Sequence, residues 1–185
     1  MKKNRKYQIG VMGSAADLNY SKEIEQIAFD VGKEIALSGN ITVYGAEKDY
    51  DSLSTAASRG AKSVNGFTVG VTYGKSKDIW DKNGDTDVII STGIERGGGR
   101  EFVLVNSCDA IIAISGGSGT LTEIAIAYQS NIPTVVIGGT GGWADKLADT
   151  YLDSRKRLLT IKSISAKDAV EKALGELKIN TKTLR

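Results

Sequence analysis

The sequence predicts a single doubly wound, Rossmann-like α/β domain, in which a mostly parallel sheet of six to seven strands carries helices on both faces. Short, continuous apolar runs alternate with helix-period segments along the 185 residues. This alternation is typical of a parallel sheet that is buried on both sides. Neither an internal repeat nor a low-complexity linker interrupts it, so residues 1–185 are predicted to form one domain.

The predicted strands are the apolar runs, which are too short for amphipathic helices. Pro133, the only proline, opens one of them, where its missing N–H is least harmful to the sheet. In chain order, strands are predicted at residues 8–12, 41–44, 68–72, 88–90, 109–114, 133–137 and 159–164.

The predicted helices are the segments whose apolar residues recur at three- and four-residue intervals. The first spans 21–37, and Gly39 supplies the signal that ends it. Further helices are predicted at 52–64, 100–107, 120–129 and 143–151, followed by a last helix that Ser165 caps. Residues 75–85 are polar and predict an exposed loop or hairpin.

Composition and charge favour a soluble protein that binds neither membranes nor nucleic acid. No apolar run approaches the roughly 20 residues of a membrane span, and the apolar segment near the N terminus is too short for a signal peptide, which predicts a cytoplasmic location. The net charge is only +2. Basic residues gather at the ends, and residues 1–6 and 180–185 are predicted to be frayed tails rather than a nucleic-acid patch.

Two residue counts limit the chemistry. The chain has no histidine, which excludes Ser-His-Asp and Cys-His catalysis and every histidine-ligated metal site. Acid–base chemistry is left to Asp, Glu, Lys, Tyr or the single cysteine, Cys108, which is predicted to be a small buried residue. The sequence therefore indicates neither a metal site nor a cofactor.

A glycine-rich loop, "SGGSGT" at residues 115–120, leads from the strand at 109–114 into a helix. Its glycines let a ligand approach backbone N–H groups at the positive end of that helix, which predicts a phosphate site. A tight strand–helix turn without a ligand is the alternative interpretation. The predicted phosphate-binding residues of this loop are Gly116, Gly117, Ser118, Gly119 and Thr120.

Two further loops are expected at the same edge of the sheet. If the strand at 109–114 lies beside the strand at 8–12, Gly13 and Ser14 face the glycine-rich loop across the topological switch point, where such sheets bind ligands. Residues 138–142, "GGTGG", precede Trp143. They are predicted to form either a mobile lid with an aromatic edge or a flexible surface loop.

Glu123 is an unexpected neighbour for a phosphate. The spacing from Thr120 to Glu123 is that of a capping box, which would make the carboxylate structural. Two unit charges about 6 Å apart repel by roughly 3 kcal/mol at an effective dielectric constant near 20. A carboxylate facing the ligand therefore needs a positive partner, for which Arg100 is the candidate, or the positive transition state of glycosidic bond cleavage. For Arg100 alone, a solvated helix residue is the alternative.

The stretch from Arg100 to Glu123 resembles a family motif that consists of an arginine, an aspartate nine residues on, and then P-G-G-x-G-T-x-x-E. Arg100, Asp109 and residues 115–123 fall in this spacing. The family is LONELY GUY, the cytokinin riboside 5′-monophosphate phosphoribohydrolases. The chain resembles more closely the small prokaryotic Rossmann proteins of the same superfamily, which includes molybdenum-cofactor carriers. The similarity covers about residues 7–175.

This resemblance implies a homodimer that binds an AMP-like nucleoside 5′-monophosphate or another phosphorylated small molecule. The phosphate would lie on the loop at 116–120. Arg100 and Glu123 would serve hydrolysis of the N-glycosidic bond, with free base and ribose 5-phosphate as products. Glu123 would stabilise the sugar cation or activate water, while Arg100 would orient the substrate and the carboxylate.

Three features depart from the family pattern. Ser115 replaces the proline, "GGGR" at 97–100 lacks the Met-His lead-in, and the second glycine loop, GGGxxGLM, is here "YGAEKDYDSLS" at 44–54. Of that loop only Gly45 is kept as a predicted binding residue, and Glu47 and Lys48 stand where backbone is expected to approach the ligand. The alternative to a hydrolase is therefore a non-catalytic carrier or sensor of a phosphorylated ligand, such as molybdenum cofactor or a nucleotide.

Overall fold

Seven parallel strands form one sheet in the computed structural model, which describes residues 5–95 and 99–183, without the side chains of residues 17 and 180–183. The strands are β1 (Gln8–Gly13), β2 (Ile41–Gly45), β3 (Phe67–Thr72), β4 (Val88–Ser91), β5 (Ala110–Ile114), β6 (Thr134–Ile137) and β7 (Ile161–Ser163). The helices are α1 (Lys22–Leu37), α2 (Leu53–Lys62), α3 (Arg100–Asn106), α4 (Ser118–Gln129), α5 (Gly142–Leu147) and α6 (Ala166–Thr183), and a short 3-10 helix spans Ala16–Leu18.

The strand order is β4-β3-β2-β1-β5-β6-β7, so the chain reverses its direction of winding at β1. β1 pairs with β2 on one side and with β5 on the other, and Gly13 lies opposite Ile114. The predicted doubly wound sheet is thus confirmed, including its switch point. The loops that follow β1 and β5 meet at the carboxyl edge of the sheet, where open α/β folds bind ligands.

Helices cover both faces of the sheet, because successive side chains of a strand point to opposite sides. In β5, Ile112 and Ile114 belong to a core packed under α1, α2 and α6. Ile111 and Ala113 belong to the other core, under α3, α4 and α5. All five residues of β5 are buried, as a central parallel strand requires.

Several element boundaries differ from the prediction. α5 ends at Leu147 rather than near residue 151, because Ala148 is extended and Asp149 has a positive φ of 54°. β7 is shorter than predicted, at Ile161–Ser163. Of the predicted tails, residues 1–4 and 184–185 lie outside the described residues. None of the helices in the described part of the chain is long and apolar enough to cross a membrane.

Candidate functional site

A cavity of about 520 Å³ lies at the carboxyl edge of the sheet, at the switch point. Loops after β1, β2 and β5 line it, together with the first residues of α2, α3 and α4. All the predicted site residues except Gly116 line this cavity: Gly13, Ser14, Gly45, Arg100, Gly117, Ser118, Gly119, Thr120 and Glu123. The lining residues that sequence reasoning did not assign to the site include Leu18, Glu47, Tyr50, Ser52, Ser54, Glu101, Thr122 and Ile126.

The N terminus of α4 supplies the hydrogen-bond donors of the predicted phosphate site. The first backbone bond of the helix runs from the Leu121 N–H to the Gly117 carbonyl, at 3.1 Å. The N–H groups of residues 117–120 therefore have no acceptor among the described residues, as is normal for the first turn of a helix. Open N–H groups at the positive end of a helix dipole are an arrangement that can bind an anion without a cationic side chain.

Gly116 shapes this loop without lining the cavity. Its φ is +100°, and an added Cβ would lie 2.4 Å from the Cβ of Thr120. Its N–H donates to the Ser14 hydroxyl at 2.9 Å, so that amide is already paired. The Ser14 hydroxyl also lies 3.2 Å from that of Ser115. Gly116 thus acts on the predicted phosphate site through the shape of the loop.

Ser115 explains why the family's proline is absent here. Its φ is +55°, which the ring of proline forbids, and its N–H donates to Thr140 Oγ1 at 2.8 Å, a bond that proline cannot make. The 138–142 loop is fastened to the same turn, since the Trp143 N–H donates to the Gly116 carbonyl at 3.0 Å. Trp143 does not line the cavity. The structure therefore does not place this loop as a lid over the site.

Glu123 is not part of a capping box. α4 begins at Ser118, with Gly117 as its N-cap, so Thr120 is the third helical residue and Glu123 lies in the second turn. No side chain caps this end of the helix. The Glu123 side chain lines the cavity and is only 7% exposed. The interpretation of Glu123 as a capping-box residue is thus wrong. Its carboxyl group faces the cavity.

Arg100 is buried and ion-paired, in contrast to the solvated helix residue that was the alternative. It is 6% exposed, and its Nη2 lies 3.1 Å from Glu47 Oε1 and 3.5 Å from Glu101 Oε1. A Cβ on Gly45 would lie 2.2 Å from Arg100 Nη1. Gly45 therefore makes room for the guanidinium at the end of β2.

Burial, more than the neighbouring charges, sets the pKa of Glu123. Burial raises the pKa of Glu123, Arg100 lowers it, and the carboxylates of Glu101 and Glu47 raise it further, to about 8. Glu123 is therefore mainly uncharged at neutral pH. Sequence reasoning noticed Glu47 as a departure from the family's second loop, but only its geometry reveals the pairing with Arg100. Nothing in the sequence singled out Glu101.

Asp109 of the family motif lies away from the cavity. It precedes β5 at the amino edge of the sheet, where it accepts hydrogen bonds from Arg5 at 2.7 Å and from the Gln8 N–H at 2.8 Å. Its neighbour Cys108 is buried, and burial raises the pKa of its thiol, so it is a poor nucleophile. Among the described residues, no group of three or more acidic or cysteine side chains is arranged to hold a metal ion.

Known proteins resemble this chain over most of its length. The molybdenum cofactor carrier protein of Chlamydomonas reinhardtii is 31% identical, with a TM-score of 0.76, over 95% of this chain and 99% of that one. The molybdenum cofactor binding protein of Rippkaea orientalis is 25% identical, with the same TM-score and the same coverage of both chains.

A relative from Archaeoglobus fulgidus, whose function is uncharacterized, is 36% identical over 138 residues, which are 71% of this chain and 84% of the relative. The model of the SLOG cluster4 family matches residues 6–170. This match takes in the sheet, the residues that line the cavity and the glycine-rich loop at 115–120. The chain therefore belongs to the SLOG cluster4 family.

Proposed function

We propose that this protein binds a phosphorylated heterocyclic compound, a nucleotide or a pterin such as molybdenum cofactor, and carries it without turnover. The observation that carries the proposal is the pairing of Arg100 with Glu47 in the same cavity that holds the open N terminus of α4. The names of the two molybdenum cofactor proteins with similar structures support the ligand class.

The phosphate of the ligand would be held by the N–H groups of residues 117–120 and by the Ser118 and Thr120 hydroxyls. An uncharged Glu123 does not repel this phosphate. As a carboxylic acid it offers one O–H donor and an acceptor oxygen to the rest of the ligand. The conflict between phosphate and carboxylate is thereby removed at neutral pH.

Two features oppose turnover by this arrangement. Stabilising an oxocarbenium-like centre requires an ionised carboxylate, whereas the pKa of Glu123 is raised to about 8 by burial and by Glu101 and Glu47. The guanidinium of Arg100, which would orient the substrate in a phosphoribohydrolase, is already held by Glu47 and Glu101. Carrying or sensing the ligand fits this chemistry better than cleaving it.

A nucleoside 5′-monophosphate phosphoribohydrolase is the second candidate. The observation that favours it is that Arg100 and Glu123 line one cavity and act on each other electrostatically, as the hydrolytic assignment requires. Such an enzyme would need Glu123 ionised, so its rate would rise with pH as the pH passes 8.

Mass spectrometry of the small molecules released by denaturing the purified protein tests the first candidate. We expect a phosphorylated heterocycle to be released, and AMP to bind by calorimetry without forming adenine at pH 7. Glu123→Gln, which keeps an uncharged hydrogen-bonding group, is expected to retain binding. Adenine release that Glu123→Gln abolishes would favour the hydrolase instead, and the absence of binding by any phosphorylated compound would contradict both candidates.

The homodimer and the cytoplasmic location remain predictions. Sedimentation equilibrium at micromolar protein concentration tests the dimer directly. The mass of a monomer in that experiment would contradict the prediction of a homodimer.

A further inference from the structure

Leu18 is an exposed apolar side chain on the wall of the cavity. It is 54% exposed, whereas the other large apolar side chains that line the cavity, those of Tyr50 and Ile126, are partly buried. Exposed apolar residues elsewhere in the described part of the chain, such as Leu37 and Phe102, lie outside the cavity. A leucine left uncovered on the wall of a binding cavity favours a ligand that brings an apolar surface of its own.

The backbone around Leu18 is fastened to the start of α2. The Ala16 N–H donates to the Asp51 carbonyl at 2.9 Å, and Ala15 pairs with Ser52 in an isolated antiparallel bridge. The Leu18 N–H closes the short 3-10 helix by donating to the Ala15 carbonyl at 3.0 Å. The fold therefore holds Leu18 at a fixed place on the cavity wall.

The tip of the Leu18 side chain lies against the first residue of the predicted phosphate site. A Cβ on Gly117 would lie 2.8 Å from Leu18 Cδ1. The backbone of Gly117 is extended, with a φ of −93°, so its missing side chain makes room for Leu18 and is not required by the backbone conformation. An apolar surface therefore begins directly beside the N–H groups of residues 117–120.

The ring of the ligand is the occupant that fits both features. Inorganic phosphate has no apolar surface, and the hydroxyls of a sugar find no hydrogen-bond partner on a leucine side chain. The flat face of a heterocycle is apolar, and in a phosphorylated heterocycle it is linked to the group that the open N–H groups suit. Leu18 follows β1, whereas the charged lining residues Arg100, Glu101 and Glu123 belong to α3 and α4.

We infer that the face of the ligand's heterocycle packs on Leu18 while its phosphate lies on the N–H groups of residues 117–120. This inference rests on the proposed function for the position of the phosphate. It adds the residue that makes the cavity prefer a phosphorylated heterocycle to a phosphorylated sugar.

Three probes that each carry one phosphate test this by calorimetry: inorganic phosphate, ribose 5-phosphate and AMP. Wild-type protein is expected to bind AMP most tightly. Leu18→Ala is expected to weaken AMP binding about tenfold, because less apolar surface is buried under the ring, and to leave the other two affinities unchanged. Leu18→Met, which keeps a large apolar side chain, should restore AMP binding. Leu37→Ala is the matched control, since Leu37 is 60% exposed at the end of α1, outside the cavity.

Failure of this inference differs from failure of the proposed function. If AMP binds wild-type protein no more tightly than ribose 5-phosphate, or if Leu18→Ala weakens all three probes equally or none of them, the ring does not pack on Leu18 and the proposed function stands. The same holds if Leu18→Ala leaves AMP binding unchanged but converts a dimer to a monomer in sedimentation, because a second copy of the chain then covers Leu18. If neither phosphate nor AMP binds wild-type protein, both proposals are wrong.

Discussion

The two sides of the cavity handle charge by opposite means. The predicted anion site, made of residues 117–120, offers backbone N–H groups and the hydroxyls of Ser118 and Thr120 and has no charged side chain. The acidic cluster of Glu47, Arg100, Glu101 and Glu123 places one guanidinium among three carboxyl groups. Among the described lining residues, the only basic side chain, that of Arg100, is therefore paired with neighbouring carboxylates.

This difference would allow one cavity to hold both a phosphate and a glutamate, as the proposed function requires. The attraction of the anion site for a phosphate comes from the fold, since helix N termini leave their first N–H groups open. The acidic cluster limits its own charge, because burial and its neighbours keep Glu123 protonated at neutral pH. The two sites should therefore respond separately to mutation.

Removing Arg100 is the strongest test of this separation. Arg100→Met leaves the carboxylates of Glu47 and Glu101 without their shared cation, and breaking a buried ion pair in this way is expected to lower the free energy of unfolding by about 3–5 kcal/mol. Urea denaturation gives the difference. Lys62→Met is the control, since Lys62 and Asp87 are 28% and 27% exposed and their pair is expected to contribute less than about 1 kcal/mol.

At low temperature, where the Arg100→Met variant stays folded, it should still bind phosphate at residues 117–120. A titration of the variant with phosphate would show this binding. A tenfold loss of phosphate affinity would mean that Arg100 belongs to the anion site, and the separation would be wrong.

The reciprocal change is Gly116→Ala, which disturbs the anion site alone. The left-handed φ and the contact of the new methyl group with Thr120 are together expected to lower stability by about 2–4 kcal/mol and to weaken phosphate binding at least tenfold. Gly39→Ala is matched to it, because Gly39 also has a positive φ of 80° but nothing lies within 4 Å of its added Cβ. Similar losses of stability in both variants would show that the contact with Thr120 is unimportant.

Glu123→Gln tests the charge state on which the proposed function depends. Because the folded pKa of Glu123 is raised from 4.5 to about 8, the folded protein keeps a proton that the unfolded chain loses. The free energy of unfolding should therefore fall as pH rises between these values, by at most about 1.4 kcal/mol per pH unit from this group. Thermal denaturation of Glu123→Gln should lack this fall, whereas Glu171→Gln on the exposed side of α6 should keep it.

The sequence predicted most of the fold and residues that come to line one cavity, but not the contacts between them. The strands themselves follow from apolar runs, which are local signals, whereas the pairing of β1 with β5 that brings Gly13 to the 115–120 loop was only a condition of the prediction and is established by the structure. The role of Gly45 depends on where the guanidinium of Arg100, 55 positions later, comes to lie. The capping-box spacing predicted the wrong role for Glu123, because the helix starts two residues before Thr120.

Substitution of Asp109, which lies outside the cavity, is expected to change the stability of the protein least. Burial alone would raise the pKa of its carboxyl group, but hydrogen bonds from Arg5 and the Gln8 N–H lower it below the ordinary value of 3.8. Because Arg5 is 65% exposed, Asp109→Asn is expected to lower stability by less than about 1 kcal/mol at pH 7. A carboxylate with a lowered pKa stabilises the fold above its unfolded pKa, so this difference should vanish as pH falls below about 4.

Phosphate affinity measured on Asp109→Asn then shows whether the motif aspartate takes part in binding. Since Asp109 lies at the amino edge of the sheet and the anion site at the carboxyl edge, we expect no change. A loss of affinity without a matching loss of stability would contradict that assignment. An unchanged affinity would mean that the spacing from Arg100 to Asp109 reflects the path of α3 into β5, with Asp109 fastening the start of β1 to the sheet.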